Sequence, residues 1–234
     1  MSSAELYDFA VVGVGPAGAR FARQAADRGH RVIAFEQGAV GTPLACSGHV
    51  STDIYRYLPP GAARGLRQNE ISAARFHVGG PDAPGHRFYR EETISVVIDR
   101  VGLDRALAEA ATTAGADVRT HHTVTAVTPG PAHVDVEVQT PDGPLGVHAR
   151  MVVGADGPTS RTRRALGIDP PGELLHGVLG FDPTPDAADH VDVHLIVPGF
   201  FAWRIPRGEA GVEYGIAGAP GADLEAPSKL WLHL

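Results

Sequence analysis

Apolar and polar positions follow a strand, helix, strand pattern at the start of the chain. The apolar run at residues 9–12 leads into a glycine-rich turn, an alanine-rich stretch follows up to Gly29, and a second apolar run at residues 32–35 ends on Glu36. Uninterrupted apolar runs are typical of strands that are buried on both faces of a parallel sheet. The pattern therefore predicts a βαβ unit.

The rest of the chain is dominated by short strand-like runs between glycine and proline turns. Residues 99–115 are the exception, because apolar residues recur there with helical spacing at Leu103 and Leu107. Strands are predicted at residues 74–78, 87–90, 94–98, 118–120, 124–127, 134–138, 145–149, 151–153, 174–181, 191–197, 200–205 and 211–217. We interpret residues 118–149 as a parallel strand followed by a three-stranded β-meander, and the strands within 74–98 as part of a separate antiparallel sheet.

Three glycines between the first strand and the first helix form a Gly-x-Gly-x-x-Gly motif. Gly13 permits the tight turn, Gly15 lets a pyrophosphate approach the backbone, and Gly18 lets the helix pack closely on the sheet. The amino end of the helix then faces the phosphates. Glu36 follows the motif at the spacing expected of the acid that accepts hydrogen bonds from an adenosine ribose. These residues predict a dinucleotide site; the alternative is an ordinary glycine-rich turn.

Composition and charge narrow the class of protein. A chain of 234 residues with 43% hydrophobic content can bury a proper core. The net charge of -7 disfavours a nucleic-acid surface, which must neutralise phosphates. The single cysteine, Cys46, excludes an intramolecular disulfide and fits a reducing compartment. Without a signal pattern or a membrane-length apolar run, we expect a cytoplasmic protein.

Pro16 and Ala17 stand between the second and third glycines, and in this respect the motif resembles that of FAD-binding flavoproteins. The resemblance implies FAD as cofactor and Ala17 among its contacts. It also implies an α/β fold, or α+β with a Rossmann-like part: a glutathione-reductase-type FAD-binding βαβ domain with a β-meander, plus an antiparallel-sheet substrate domain. The FAD-binding domain is expected at residues 1–73 and 98–170, and the substrate-binding domain at residues 74–97 and 171–234.

Residues 46–51, Cys-Ser-Gly-His-Val-Ser, resemble a loop of the geranylgeranyl reductase family, particularly of its archaeal members that saturate the isoprenoid chains of membrane lipids. In that family a loop containing cysteine and glycine lies beside the isoalloxazine ring. The resemblance therefore implies cofactor contacts from Cys46, Ser47, Gly48 and His49, with Cys46 as the catalytic residue that influences the proton step. The alternative is a surface turn with a buried cysteine.

Residues 199–207, which include Phe201, Trp203 and Pro206, are similar to an aromatic segment of the same family. By this resemblance the three residues contact the substrate, because aromatic rings on one strand face can wall a lipid tunnel over the flavin. The alternative is that the rings belong to an ordinary core.

Three more residues are assigned by similarity to flavoproteins. Arg100 starts the predicted helix and would reach the FAD; alternatively, it pairs with Asp99 or Asp104. Val124 would lie near the adenine. Asp156, in a Gly-Ala-Asp-Gly sequence that resembles the Asp-Gly motif of flavoprotein hydroxylases, would bond near the cofactor or serve only as a structural cap.

No metal ligands are predicted. His121 and His122 are adjacent, and adjacent residues on a strand face opposite sides of a sheet.

The resemblance implies an FAD-dependent oxidoreductase that reduces carbon-carbon double bonds of geranylgeranyl chains. Its partners would be an isoprenoid lipid and an electron donor, NAD(P)H or ferredoxin, which the sequence does not identify; a lipid substrate is also compatible with peripheral membrane contact. The alternatives are an aromatic monooxygenase-like enzyme and an inactive remnant. The chain lacks a Gly-Asp dipeptide, which the family uses in a second FAD motif, so we expect an FAD fold that is incomplete at its carboxyl end.

Overall fold

The computed structural model describes residues 5–43, 46–59, 61–78, 84–197 and 199–221. The chain divides into two compact units. The first unit comprises residues 1–44 and 101–171, and the second comprises residues 45–100 and 172–234. Residues 45–73, which the sequence assigned to the FAD-binding domain, belong to the second unit.

Strands dominate both units. The helices are α1 (Pro16–Ala26), α2 (Ala62–Leu66), α3 (Arg100–Thr113) and α4 (Arg161–Ala165), with a short 3-10 helix at Thr52–Arg56. The strands up to α3 are β1 (Leu6–Val12), β2 (Val32–Phe35), β3 (His49–Ser51), β4 (Arg67–Ile71), β5 (Ala73–Val78), β6 (Gly85–Tyr89) and β7 (Ser95–Ile98). The later strands are β8 (Asp117–Arg119), β9 (Thr123–Pro129), β10 (Val134–Thr140), β11 (Gly143–Gly154), β12 (His176–Asp182), β13 (His190–Val197), β14 (Phe200–Pro206) and β15 (Val212–Gly218).

The first unit is built on a six-stranded sheet with the order β8-β2-β1-β11-β10-β9. β1 pairs in parallel with β2 and β11, whereas β11 and β9 pair antiparallel with β10. The predicted βαβ unit and the three-stranded meander are both confirmed. The sequence suggested separate strands at 145–149 and 151–153, but β11 is one continuous strand that belongs to the meander at its start and to the parallel sheet at its end.

Close packing at the carboxyl end of β1 explains two of the three motif glycines. Gly13 has a φ of +92°, and a Cβ there would overlap the carbonyl oxygen of Ala155. A Cβ on Gly18 would overlap the carbonyl oxygen of Gly13. The backbone of Ala155 also donates a hydrogen bond of 2.8 Å to Val12. The turn therefore fits only when residues 13 and 18 lack side chains.

Asp156 holds the turn between β11 and α4. Its Oδ2 accepts hydrogen bonds from the backbone N–H groups of Arg161 at 2.7 Å and Thr162 at 3.0 Å, and its Oδ1 accepts one from the hydroxyl of Ser160 at 2.5 Å. Partial burial opposes the charged form of Asp156, but the bonds from Ser160, Thr162 and Arg161 outweigh it and lower the pKa of the carboxyl. Asp156 therefore accepts from the first two N–H groups of α4, whose N-cap residue is Ser160.

The second unit contains a six-stranded sheet with the order β12-β15-β14-β13-β5-β6 and a three-stranded sheet with the order β3-β7-β4. Neighbouring strands are antiparallel except for β5 and β13, which are parallel. The sequence grouped residues 94–98 with the strands that became β5 and β6, but β7 instead pairs with β3 and β4. Strands β3 and β4 were not predicted.

A buried ion pair fixes the interior of the second unit. Glu213 is fully buried, and its two oxygens accept hydrogen bonds from Nη1 of Arg207 at 2.8 Å and from the indole N–H of Trp203 at 3.1 Å. Nη1 of Arg207 also donates to the carbonyl oxygen of Ser47 at 3.2 Å. Burial raises the pKa of Glu213, although both donors favour its charged form. The pair joins β14 and β15 to the loop before β3.

Among the described residues, no helix has the length and apolar character needed to cross a membrane.

We expect Asp156→Ala to lower the free energy of unfolding at pH 7 by about 1–2 kcal/mol, because the N–H groups of Arg161 and Thr162 would lose their acceptor. The pKa of Asp156 lies below its ordinary value of 3.8, so the carboxylate stabilises the fold above that pH. The advantage of the native chain over Asp156→Asn should therefore disappear as the pH falls below 3.8 through the folded-state pKa. Urea denaturation at several pH values measures this difference in stability. A difference that persists in acid would show that the Asp156 carboxylate is not its source.

We expect Arg207→Met to lower the free energy of unfolding by about 3–5 kcal/mol at pH 7, because Glu213 would remain buried without its cation. The pKa of Glu213 then rises further, so the variant should regain stability as the pH falls through that pKa towards 4.5. Arg90→Met is the matched control, because the Arg90–Glu92 pair is exposed and contributes little. Equal losses in the two variants, measured by urea denaturation, would show that the buried pair has no special role.

Candidate functional site

A pocket of about 400 Å³ opens in the first unit at the carboxyl ends of β1, β2 and β11. Ligands of open α/β sheets bind at this edge. The lining residues include five that the sequence predicted: Gly13, Gly15, Glu36, Val124 and Asp156. Ala17 and Gly18 lie in the first turn of α1, where Ala17 is exposed and Gly18 is buried.

Gly15 differs from the other two motif glycines in a way that points to a ligand. A Cβ at residue 15 would meet no heavy atom within 4 Å, and its φ of -67° is open to any residue. The fold therefore does not require glycine at this position, although it does at Gly13 and Gly18. Gly15 caps α1 and lines the pocket, so the missing side chain leaves room for a phosphate to approach the helix N–H groups.

Glu36 is held against the glycine-rich turn. Its Oε2 accepts a hydrogen bond of 2.9 Å from the backbone N–H of Val14, and its Oε1 accepts one of 3.3 Å from Gly38. Each carboxylate oxygen can accept a second bond. Glu36 is thus positioned by the backbone while it retains acceptors for ribose hydroxyls.

Two arginines bring positive charge to the pocket, and sequence reasoning missed both as site residues. Arg161 and Arg164 line the pocket, and Nη1 of Arg161 donates to the carbonyl oxygen of Val124 at 3.4 Å. Guanidinium groups suit phosphate recognition. Their position directly after the Asp156 turn was the available signal.

The pocket includes a third residue that sequence reasoning missed as a site residue. His122 lines the pocket and stacks on Phe35 with ring centroids 6.2 Å apart and an angle of 16° between the planes. Its Nδ1 lies 2.7 Å from the carbonyl oxygen of Thr120. His122 was considered from the sequence only as a metal ligand, whereas its ring offers a flat face on which an aromatic base could stack.

The structure brings together the predicted residues of the Cys46 loop in the second unit. Cys46 is half-buried, and the Ser47 hydroxyl accepts a bond of 3.2 Å from the His49 N–H. His49 Nε2 lies 2.7 Å from the hydroxyl of Ser95, and burial lowers the pKa of its imidazole. A Cβ on Gly48 would overlap the Ile98 carbonyl oxygen.

Arg100 belongs to the same neighbourhood. Its Cγ lies 3.2 Å from the position that a Cβ on Gly48 would occupy. Gly48 has a φ of +77°, and its carbonyl oxygen accepts a bond of 3.0 Å from the N–H of Ile98. Glycine is therefore required here by the close approach of β7.

Aromatic side chains of residues 199–207 lie on one face of the six-stranded sheet in the second unit. Phe201 and Trp203 project from the same face of β14, and their rings meet edge to face with centroids 5.9 Å apart. The indole also covers Gly215 so closely that a Cβ there would overlap it. The register places Val193 beside Trp203 and Phe76 beside Val193. We call this side the Trp203 face; Pro206 ends β14.

Part of the opposite face of that sheet is charged, which the sequence did not reveal. A second pocket of about 380 Å³ is lined there by Arg75, His77, Asp186, Ala188, His190, Asp192, His194 and Arg204. Asp192 accepts from His77 at 2.9 Å, and Arg204 pairs with Asp186. Burial, together with the nearby His77, lowers the pKa of His194. The charged pocket therefore lies on β5, β13 and β14, whereas Ala202 and Ile216 on the same face form an apolar cluster.

Comparison with solved structures supports the flavoprotein fold. A geranylgeranyl bacteriochlorophyll reductase-like protein from Thermoplasma acidophilum matches with a TM-score of 0.85 and 27% identity, over 98% of this chain and 61% of that one. Aklavinone-11 hydroxylase, solved with FAD and aklavinone, matches with a TM-score of 0.74 at 19% identity, over 100% of this chain and 50% of that one. The second likeness shows the fold alone.

Sequence comparison finds similar relatives among archaeal reductases. Digeranylgeranylglycerophospholipid reductase 1 of Methanopyrus kandleri is 33% identical over 96% of this chain and 62% of its own length. The digeranylgeranylglycerophospholipid reductase of Thermoplasma volcanium is 28% identical over 91% of this chain and 56% of its own. The chain thus spans about three-fifths of these relatives, and the predicted resemblance to geranylgeranyl reductases is confirmed.

The family model described as FAD binding domain matches residues 7–199, which include the glycine-rich turn, Glu36, the meander and Asp156. That match covers most of the chain and agrees with the pocket geometry. The chain therefore belongs to the FAD binding domain family.

Proposed function

We propose that this chain forms the nucleotide-binding and lipid-binding part of an FAD-dependent reductase that saturates carbon-carbon double bonds in geranylgeranyl chains of isoprenoid lipids. The observation that carries the proposal is Gly15, an open position in an otherwise closely packed turn, in a chain whose relatives are named digeranylgeranylglycerophospholipid reductases. When bound and reduced, FAD supplies the hydride for such a reaction.

The first unit would hold the adenosine and pyrophosphate of FAD. Gly15 and the start of α1 would receive the pyrophosphate, with charge complemented by Arg161 and Arg164. Glu36 would accept hydrogen bonds from the ribose. His122 and Val124 would lie against the adenine, and Asp156 would act chiefly by shaping the turn that presents the arginines.

The second unit would hold the isoprenoid chain on the Trp203 face. Phe76, Val78 and Leu195 project from this face and are 39%, 59% and 48% exposed. Phe201 and Trp203 extend the same surface. A polyisoprenoid offers only hydrocarbon for contact, so it gains affinity from apolar area of this kind. The same surface is compatible with peripheral contact with a membrane.

The Cys46 loop would contribute the proton step in this reductase. The half-buried Cys46 is anchored through Ser47 by Arg207, and through His49 by Ser95. These bonds hold the chain on the carboxyl side of the thiol. Residues 46–49 and Arg100 would contact the cofactor; the electron donor is left open.

Gly15→Val should abolish FAD binding without unfolding the chain, because residue 15 has room for a side chain only where the phosphate would lie. Gly146→Val is the matched control, since a Cβ at Gly146 also meets nothing within 4 Å and Gly146 does not line the pocket. Visible absorption after addition of FAD and gel filtration reports binding, and circular dichroism reports folding. Equal FAD binding by the two variants would refute the pyrophosphate assignment.

Leu195→Asp should raise the KM for a geranylgeranyl lipid at least about tenfold, because the bound isoprenoid would cover the new carboxylate and remove it from water. Val178→Asp is the control: Val178 is similarly exposed, at 45%, but projects from the opposite face of the sheet. The assay follows the gain of two hydrogens per double bond by mass spectrometry with FAD and dithionite. Equal effects of the two substitutions on KM, or native activity in Leu195→Asp, would show that the lipid does not bind on the Trp203 face.

A further inference from the structure

Two histidines and an aspartate meet on the outer face of the meander in the first unit. His148 of β11 lies directly across from Asp135 of β10, and His133 lies two residues before Asp135, on the same side. Nδ1 of His148 is 2.6 Å from Oδ1 of Asp135, and Nε2 of His133 is 3.2 Å from the same oxygen. The three side chains therefore converge on one point.

The contacts in this cluster are not ordinary hydrogen bonds. Nδ1 of His148 is buried and has no hydrogen-bond partner, even though the Asp135 oxygen is close. A ring nitrogen that is buried beside a carboxylate oxygen without forming a hydrogen bond is left unsatisfied. A cation bound to both atoms would satisfy the nitrogen and offset the negative charge of the carboxylate.

The donor set suits a particular class of cation. Two imidazole nitrogens and one carboxylate oxygen are the ligands of many zinc sites, with a water molecule in the fourth position. Tetrahedral zinc holds its nitrogen and oxygen ligands about 3.3 Å from one another. The separation of 3.2 Å between His133 and Asp135 already matches this value. The separation of 2.6 Å between His148 and Asp135 would reach it after a small outward rotation of the imidazole.

We propose that His133, Asp135 and His148 bind one divalent transition-metal ion, with Zn²⁺ as the ion of best fit. The side chains are 39%, 49% and 35% exposed, so an ion can enter from solvent and keep a water ligand. None of the three lines the nucleotide pocket, so the site is separate from the proposed FAD site.

The metal would cross-link two strands. Its ligands come from both sides of the β10–β11 pair, whose inward residues Val136 and Val147 belong to the buried core of the first unit. An ion that binds only the paired strands stabilises the folded meander by mass action. The inference does not depend on the proposed reductase activity.

The test is a titration of the untagged 234-residue chain with Co²⁺, followed by displacement with Zn²⁺. We expect one Co²⁺ per chain with the visible absorption of a tetrahedral site, and a rise in Tm on addition of Zn²⁺. His148→Ala and the conservative Asp135→Asn should each weaken binding at least about tenfold and abolish the rise in Tm.

Two control variants separate this cluster from the other histidines. His176→Ala alters an exposed strand histidine, and His190→Ala alters the charged pocket of the second unit; both should bind like the native chain. Circular dichroism confirms that each variant is folded. The proposal is overturned if the native chain shows no stoichiometric binding, or if binding survives in His148→Ala and Asp135→Asn but is lost in His190→Ala.

Discussion

The close approach of the turn after β1 to the end of β11 is the constraint on which the first unit depends. Gly13 lies against the carbonyl oxygen of Ala155, and Gly18 lies against Gly13, so three backbone segments meet with no side chain between them. This contact brings the amino end of α1 to the same edge of the sheet as Asp156. The pocket is the space that remains beside it. One motif thus serves packing at two of its glycines and a ligand at the third.

The second unit depends instead on a buried charge. A carboxylate such as Glu213 is costly to bury, and hydrophobic residues of the same volume often stabilise a protein as well as an ion pair does. Hydrophobic residues, however, form no directional hydrogen bonds. The two oxygens of Glu213 fix the indole of Trp203 and the guanidinium of Arg207, and that guanidinium in turn holds the Ser47 carbonyl. The Arg207–Glu213 pair therefore holds both the strand expected to contact the lipid and the loop expected to contact the flavin.

Local features of this protein were predictable from the sequence, and features that depend on register were not. The contact of Gly18 with Gly13 and the bonds of Asp156 to Arg161 and Thr162 involve neighbours within a few residues, so their spacing carries the information. By contrast, Arg207 and Ser47 lie 160 positions apart, and His148 reaches Asp135 only because β10 and β11 pair in one register. The continuity of β11 was hidden for the same reason, since its two halves have different partners. The predictions of the other site residues, from Cys46 to Pro206, rest on resemblance rather than on spacing.

The continuity of β11 has a consequence for how this sequence can change over evolution. The strand is paired with β10 at its start and with β1 at its end, so a single residue gained or lost inside it would reverse every later side chain. Val147 and Ala149 would leave the core, and Ala155 would no longer meet Gly13. Length variation among descendants of this chain should therefore accumulate at the hairpin tip, residues 140–143, and be absent between residues 144 and 156.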